Sequence, residues 1–125
     1  MTTERKGAVL FGGRPMTLVG PELKVGDTLP DVELVDQTMA HKKISSVKAV
    51  VKIVSGVVSL DTGVCAMETK RFEEEVGKLG AAVALITVSR DLPFAQQRFC
   101  GGTPPAYALF LSDYKDASFG KAYGT

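Results

Sequence analysis

Apolar residues follow two rhythms along this chain. Near the start, Ala8-Val9-Leu10-Phe11 and Met16-Thr17-Leu18-Val19 flank Gly12-Gly13-Arg14-Pro15. Two short strand-like runs about a glycine pair predict a β-hairpin. Gly20-Pro21 ends it, and Gly26-Asp27 with Pro30 marks a second turn. Asp31 to Val35 alternates well enough for a half-buried strand. Thereafter the apolar runs become continuous: Ala49 to Val54, Ala81 to Val88 and Ala106 to Leu111. Such runs predict strands covered on both faces, as in parallel sheets. Between the first two, Thr62 to Leu79 reads as a helix, with Cys65, Phe72, Val76 and Leu79 near one face and Glu68, Glu73, Glu74 and Glu75 on another. Pro93 to Cys100 predicts a shorter helix, and Asp116 to Tyr123 a final helical turn or two. The alternation gives an α/β domain with parallel character.

Composition narrows the function classes. The 125 residues, 13.3 kDa, suit one domain. Fifteen basic residues against 14 acidic leave a net charge of +1, without the electrostatic footprint of a dedicated nucleic-acid binder. No apolar run approaches the ~18 residues of a membrane span. Met1 to Gly7 lacks the apolar core of a secretory signal, so the expected setting is cytoplasmic. Two cysteines and one histidine do not make a four-ligand zinc site, and no phosphate-cradling glycine loop is present, so neither metal nor cofactor is expected. His41 reads as an exposed loop residue without an acidic neighbour, and Glu73-Glu74-Glu75 as a solvated helix face. Met39 and Met67 read as core or fringe fillers. Arg71, Arg90 and Arg98 read as solvated charges.

The candidate chemistry lies in Ser59-Leu60-Asp61-Thr62-Gly63-Val64-Cys65. This segment joins a buried strand to a helix and puts Cys65 in the first helical turn. Backbone N–H groups and the helix dipole there favour the thiolate, so Cys65 is expected to ionise below the ordinary thiol range. Asp61 or Thr62 serves as N-cap. The plainer alternative is a small buried cysteine facing the strand, with Thr62 a cap and nothing more.

Ser59 to Cys65, followed by Asp91-Leu92-Pro93-Phe94-Ala95-Gln96-Gln97-Arg98-Phe99-Cys100-Gly101, resembles the bacterial thiol peroxidases, the atypical two-cysteine peroxiredoxins. Thr17 to Gly20, Val25 to Asp27, Leu111 to Asp113 and Ser118 to Gly120 match as well. The resemblance implies a thioredoxin-like fold preceded by the hairpin, without the family's last two strands and helix. Those elements, and the family's catalytic arginine, would follow Thr125. It implies that Cys65 is the peroxidatic cysteine, oxidised to sulfenic acid by hydrogen peroxide or alkyl hydroperoxides. It implies that Thr62 orients the peroxide, and that Cys100 is the resolving cysteine, closing a disulfide within the chain that thioredoxin reduces. No cofactor is implied, and the family is usually a homodimer. Val58 stands where the family motif has a proline.

A disulfide requires Cα atoms within about 7 Å. If the reduced fold holds Cys65 and Cys100 farther apart, a helix must unwind, and Gly101 and Gly102 are suited to that. The strand holding Val50 to Val54 pairs, in the family, with one beyond Thr125. Left unpaired, its apolar edge is expected to be covered by another chain or by a rearranged hairpin, or else to leave the chain poorly stable and sticky. Two readings follow: a thioredoxin-linked peroxidase, or a thioredoxin-fold fragment of impaired catalysis acting at most as a redox-responsive binding module.

Overall fold

The computed structural model describes residues 3–101 and 107–125. The hairpin forms as expected and is longer: β1 (Glu4–Phe11) pairs antiparallel with β2 (Arg14–Val19). Phe11 pairs with Arg14, so only Gly12 and Gly13 turn the chain, at φ +57° and +80°. Both lie in the left-handed region that a two-residue turn of this twist needs. Arg14 and Pro15, expected in the turn, belong to the strand.

A separate five-stranded sheet follows, in the order β4-β3-β7-β6-β5. Its strands are β3 (Glu33–Val35), β4 (His41–Lys43), β5 (Val51–Gly56), β6 (Val83–Ser89) and β7 (Ala108–Ser112). β5, β6 and β7 run parallel, as their apolar runs predicted, while β3 is antiparallel to β7 and β4 to β3. The strand at β4 was not anticipated; its Lys-rich sequence carries no apolar alternation. His41 lies there, and Glu33 across the ladder reaches its Nδ1 at 2.6 Å, so the expectation of a loop histidine without an acidic neighbour fails. Register brought together two residues that are distant in sequence.

Helix α1 (Gly63–Gly77) links β5 to β6, α2 (Pro93–Cys100) links β6 to β7, and α3 (Ser118–Tyr123) follows β7. The registers put Leu85, Thr87, Ala108 and Phe110 on one sheet face and Ile86, Val88 and Leu111 on the other. Phe99 of α2 packs on Phe110, with ring centroids 6.1 Å apart, and Lys70 of α1 lies over the Phe99 ring. Both long helices therefore cover the first face. Leu34, Ile44 and Phe119 cover the second.

The buried stripe of α1 runs through Thr69 and Val76, with Cys65, Phe72 and Glu73 half-buried beside it. Leu79 is 60% exposed because the helix stops at Gly77, and Met67 is 73% exposed because it lies opposite Cys65 on the helix. Met39 is exposed too, in a turn at φ +67°. None of the three fills the core. Glu73, expected on the solvated face, turns partly inward. β5 is the end strand of the sheet, and the hairpin does not cover it, since β1 and β2 pair only with each other. Gly102 and Ala106, assigned above to a hinge and a strand start, lie outside the described residues.

Candidate active site

Thr62 is the N-cap of α1, in extended backbone at φ −81° and ψ 140°. Its Oγ1 accepts from the Cys65 backbone N–H at 3.3 Å and donates to the Ser59 carbonyl at 3.0 Å. Of the two cap candidates, the structure selects Thr62 and leaves Asp61 exposed. Cys65 is thus the third residue of the helix, in its first turn. Burial pushes its thiol up. Contacts with the Thr62 side chain and with the Ser59 and Val58 backbone pull it down, and Glu68 pushes it up again. The lowering contacts prevail, and Cys65 ionises below the ordinary thiol range.

The loop before Thr62 is held from across the fold. Asp91 accepts from Ser59 Oγ at 2.7 Å and from the Leu60 N–H at 2.8 Å. Burial raises the Asp91 pKa, but bonds from Leu60, Ser59 and Ser89 outweigh it and keep the carboxyl below its usual range. The Asp91 carbonyl accepts from Ser112 Oγ of β7. Ser89 Oγ in turn accepts from Gln96 Nε2 at 3.0 Å, and the same amide nitrogen reaches the Leu111 carbonyl at 2.9 Å. Gln96 is fully buried on α2. Polar groups so deeply placed need such partners, and together they fasten the first turn of α2 to β6 and β7.

Cys100 closes α2, followed by Gly101 in the left-handed conformation. Burial raises its thiol above the ordinary range; Gln37 lowers it through a hydrogen bond, and Glu73 raises it further. Both thiols are free. The structure joins Thr62 to Cys65 and places Cys100 at the end of α2, where the charge of Glu73 on α1 acts on its thiol. Glu73 lies roughly 12 Å along the α1 axis from Cys65, at about 1.5 Å per residue. Ser59, Asp91 and Gln96 stand in the sequence as motif letters without a role, Glu73 as part of a solvated face, and Gln37 carries no signal.

A cavity of about 290 Å³ opens beside this loop, lined in part by Val57, Val58, Arg90 and Phe119. Cys65 is not among its lining residues. Arg71 pairs with Glu75 on the helix surface at 3.3 Å, and Arg90 and Arg98 are exposed, as expected of solvated charges. Among the described residues, no three His, Cys, Asp or Glu side chains converge as metal ligands.

The family model described as Redoxin matches residues 24–125. The thiol peroxidase of Bacillus subtilis is 47% identical over 116 residues, covering 93% of this chain and 69% of that protein. The chain belongs to the redoxin family and, within it, to the thiol peroxidases. A peroxiredoxin-like protein from Aquifex aeolicus superposes with a TM-score of 0.79 at 42% identity, over 90% of this chain and 65% of that one. Thiol peroxidase from Chromobacterium violaceum, at 24% identity and a TM-score of 0.70, shares the fold. The thioredoxin-like architecture expected from the motifs is therefore the one found, and the chain spans about two-thirds of the length of these relatives. The thiol peroxidase relatives identify a peroxiredoxin-type enzyme family, and no described helix is long and apolar enough to cross a membrane.

Proposed function

We propose that the chain reduces hydroperoxides with Cys65 as the peroxidatic and Cys100 as the resolving cysteine. The observation that carries this reading is the Cys65 sulfur in the first turn of α1, under hydrogen bonds that favour its thiolate. The thiolate attacks one peroxide oxygen. The O–O bond breaks, the alcohol or water leaves with a proton, and Cys65 becomes a sulfenic acid. Thr62 holds the helix turn open and offers its hydroxyl at the sulfur. Exposed Val64, beside Cys65 in the chain, and exposed Leu92, next to the Asp91 that holds the Ser59 loop, suit small alkyl hydroperoxides beside hydrogen peroxide.

Cys100, as thiolate, then attacks the Cys65 sulfur; a disulfide forms and hydroxide leaves. A disulfide requires the two Cα atoms within about 7 Å, and the last turn of α2, which ends at Cys100 and Gly101, is the part of the fold that opens in this proposal to meet that requirement. A dithiol reductant of the thioredoxin type returns both thiols, itself becoming the disulfide. A cytoplasmic homodimer belongs to the same proposal.

The test is a thioredoxin-coupled peroxidase assay with a sulfenic-acid trap at limiting peroxide. Trapping on Cys65 is expected, with turnover lost in Cys65→Ser and a monomer-sized disulfide species absent from Cys100→Ser. Trapping on Cys100 first, or turnover surviving Cys65→Ser, would overturn the assignment. Sedimentation of the reduced protein tests the dimer.

A further inference from the structure

The two ends of α2 are held differently. Its start is fixed by Pro93, buried at the first helical position, and by the two bonds from Gln96 to β6 and β7. Its end carries Cys100, and there the holding group comes from another part of the chain: Gln37 Nε2 donates to Cys100 Sγ at 3.3 Å. Gln37 is half-buried and sits in the turn between β3 and β4. That turn is built to hold its shape. Asp36 Oδ1 accepts from Thr38 N at 2.8 Å, from Thr38 Oγ1 at 2.6 Å and from Ala40 N at 3.1 Å, and Met39 sits in the left-handed region.

We propose that Gln37 is a positioning residue for the second chemical step, holding the Cys100 sulfur in place and donating to it as a thiolate until Cys65 has been oxidised. The inference rests on the resolving role proposed above for Cys100. An amide N–H gives a stronger hydrogen bond to a thiolate than to a thiol, so it favours ionisation at a site where burial opposes it. The charged groups around Cys100 add nothing that could replace it. Glu73, from α1, disfavours the thiolate, and Lys70 of the same helix is engaged over the Phe99 ring at 5.6 Å. The bond must break when Cys100 moves to Cys65, so it acts only on the reduced, folded form.

The experiment measures the pH dependence of Cys100 alkylation by iodoacetamide in a Cys65→Ser background, with Gln37 intact, Gln37→Met and Gln37→Glu. Methionine keeps the length and removes the donor; glutamate keeps the shape and replaces the donor with a charge. The midpoint is expected to rise by about half a pH unit or more for methionine and further for glutamate. The Cys65 midpoint, measured in a Cys100→Ser background, is expected to move by less than about 0.2 unit with the same changes. An unmoved Cys100 midpoint in Gln37→Met overturns the proposal, as does an equal shift of both thiols, which would indicate general loosening. Should Gln37→Glu fail to fold, Gln37→Met decides. Alkylation requires neither peroxide nor reductase, so a chain without peroxidase turnover still reports on this contact.

Discussion

Asp91 and Ser59 stand 32 residues apart in sequence and 2.7 Å apart in the fold. Their bond, with that from Leu60 N–H to the same carboxylate, ties the loop before Cys65 to the start of α2. The helix that carries one thiol thus begins where the loop presenting the other is held.

Asp91→Ala should loosen that loop. It strands a half-buried amide and a hydroxyl, a loss of about 1–3 kcal/mol in unfolding free energy. Cys65 oxidation should slow about tenfold or more as the loop loses its geometry. Asp91→Asn keeps one acceptor oxygen and should fall between. Urea titration and stopped-flow oxidation read the two effects, and wild-type values in Asp91→Ala would show that the carboxylate does not hold the loop.

The same carboxylate predicts a direction with pH. Its folded pKa is depressed, so its contribution to stability is fully present above the unfolded pKa, about 4, and is lost as pH falls through the folded value. Unfolding midpoints should therefore drop more steeply below about pH 4 in the wild type than in Asp91→Asn. Parallel acid profiles would remove Asp91 from the account.

The two thiols should separate by pH. Cys65 ionises below the ordinary thiol range and Cys100 above it. Near neutral pH, iodoacetamide should label Cys65 several-fold faster, with the ratio shrinking as pH rises past both midpoints. Peptide mass spectrometry reads the order, and faster labelling of Cys100 would contradict the electrostatics described.

Thr62 joins stability to reactivity. Thr62→Val keeps the shape but removes the cap oxygen, at about 1 kcal/mol, and removes the side-chain contact that lowers the Cys65 thiol. The thiol midpoint should rise and oxidation slow. Thr62→Ser should restore most of both, and failure to do so would mean that the methyl group, not the hydroxyl, matters.

Gly20 marks a close approach between the hairpin end and α3. It lies at φ +116°, and a Cβ there would strike the Lys121 carbonyl. Gly20→Ala should destabilise by about 2 kcal/mol or more, from strain and displacement together. A thermal midpoint within a degree of wild type would show that α3 shifts without cost.

Where the sequence repeats a simple period, the fold was legible. Val51–Gly56, Val83–Ser89 and Ala108–Ser112 are strands because their continuous apolar runs belong in a parallel sheet. Thr62 and Cys65 were legible too, because capping and the helix dipole are local effects. Long-range polar pairs left no such trace. The bonds from Gln37 to Cys100 and from Ser59 to Asp91 depend on chain crossings that no window of residues contains, and that between His41 and Glu33, only eight residues apart, on a hairpin register that no apolar alternation announces. Leu79 and Met67 misled because apolar character alone says nothing about where a helix ends or which way it faces.

In the resolving step proposed above, the anchoring of α2 at Gln96 would divide the helix into a part that stays and a part that opens. Opening the last turn to release Cys100 leaves Gln96 on β6 and β7, and Asp91 on Ser59 and Leu60. The cradle around Cys65 therefore survives while its sulfur is bonded elsewhere. In that proposal, reduction would be followed by the rewinding of a single helical turn, a rearrangement on the sub-microsecond scale of helix formation rather than that of refolding a domain.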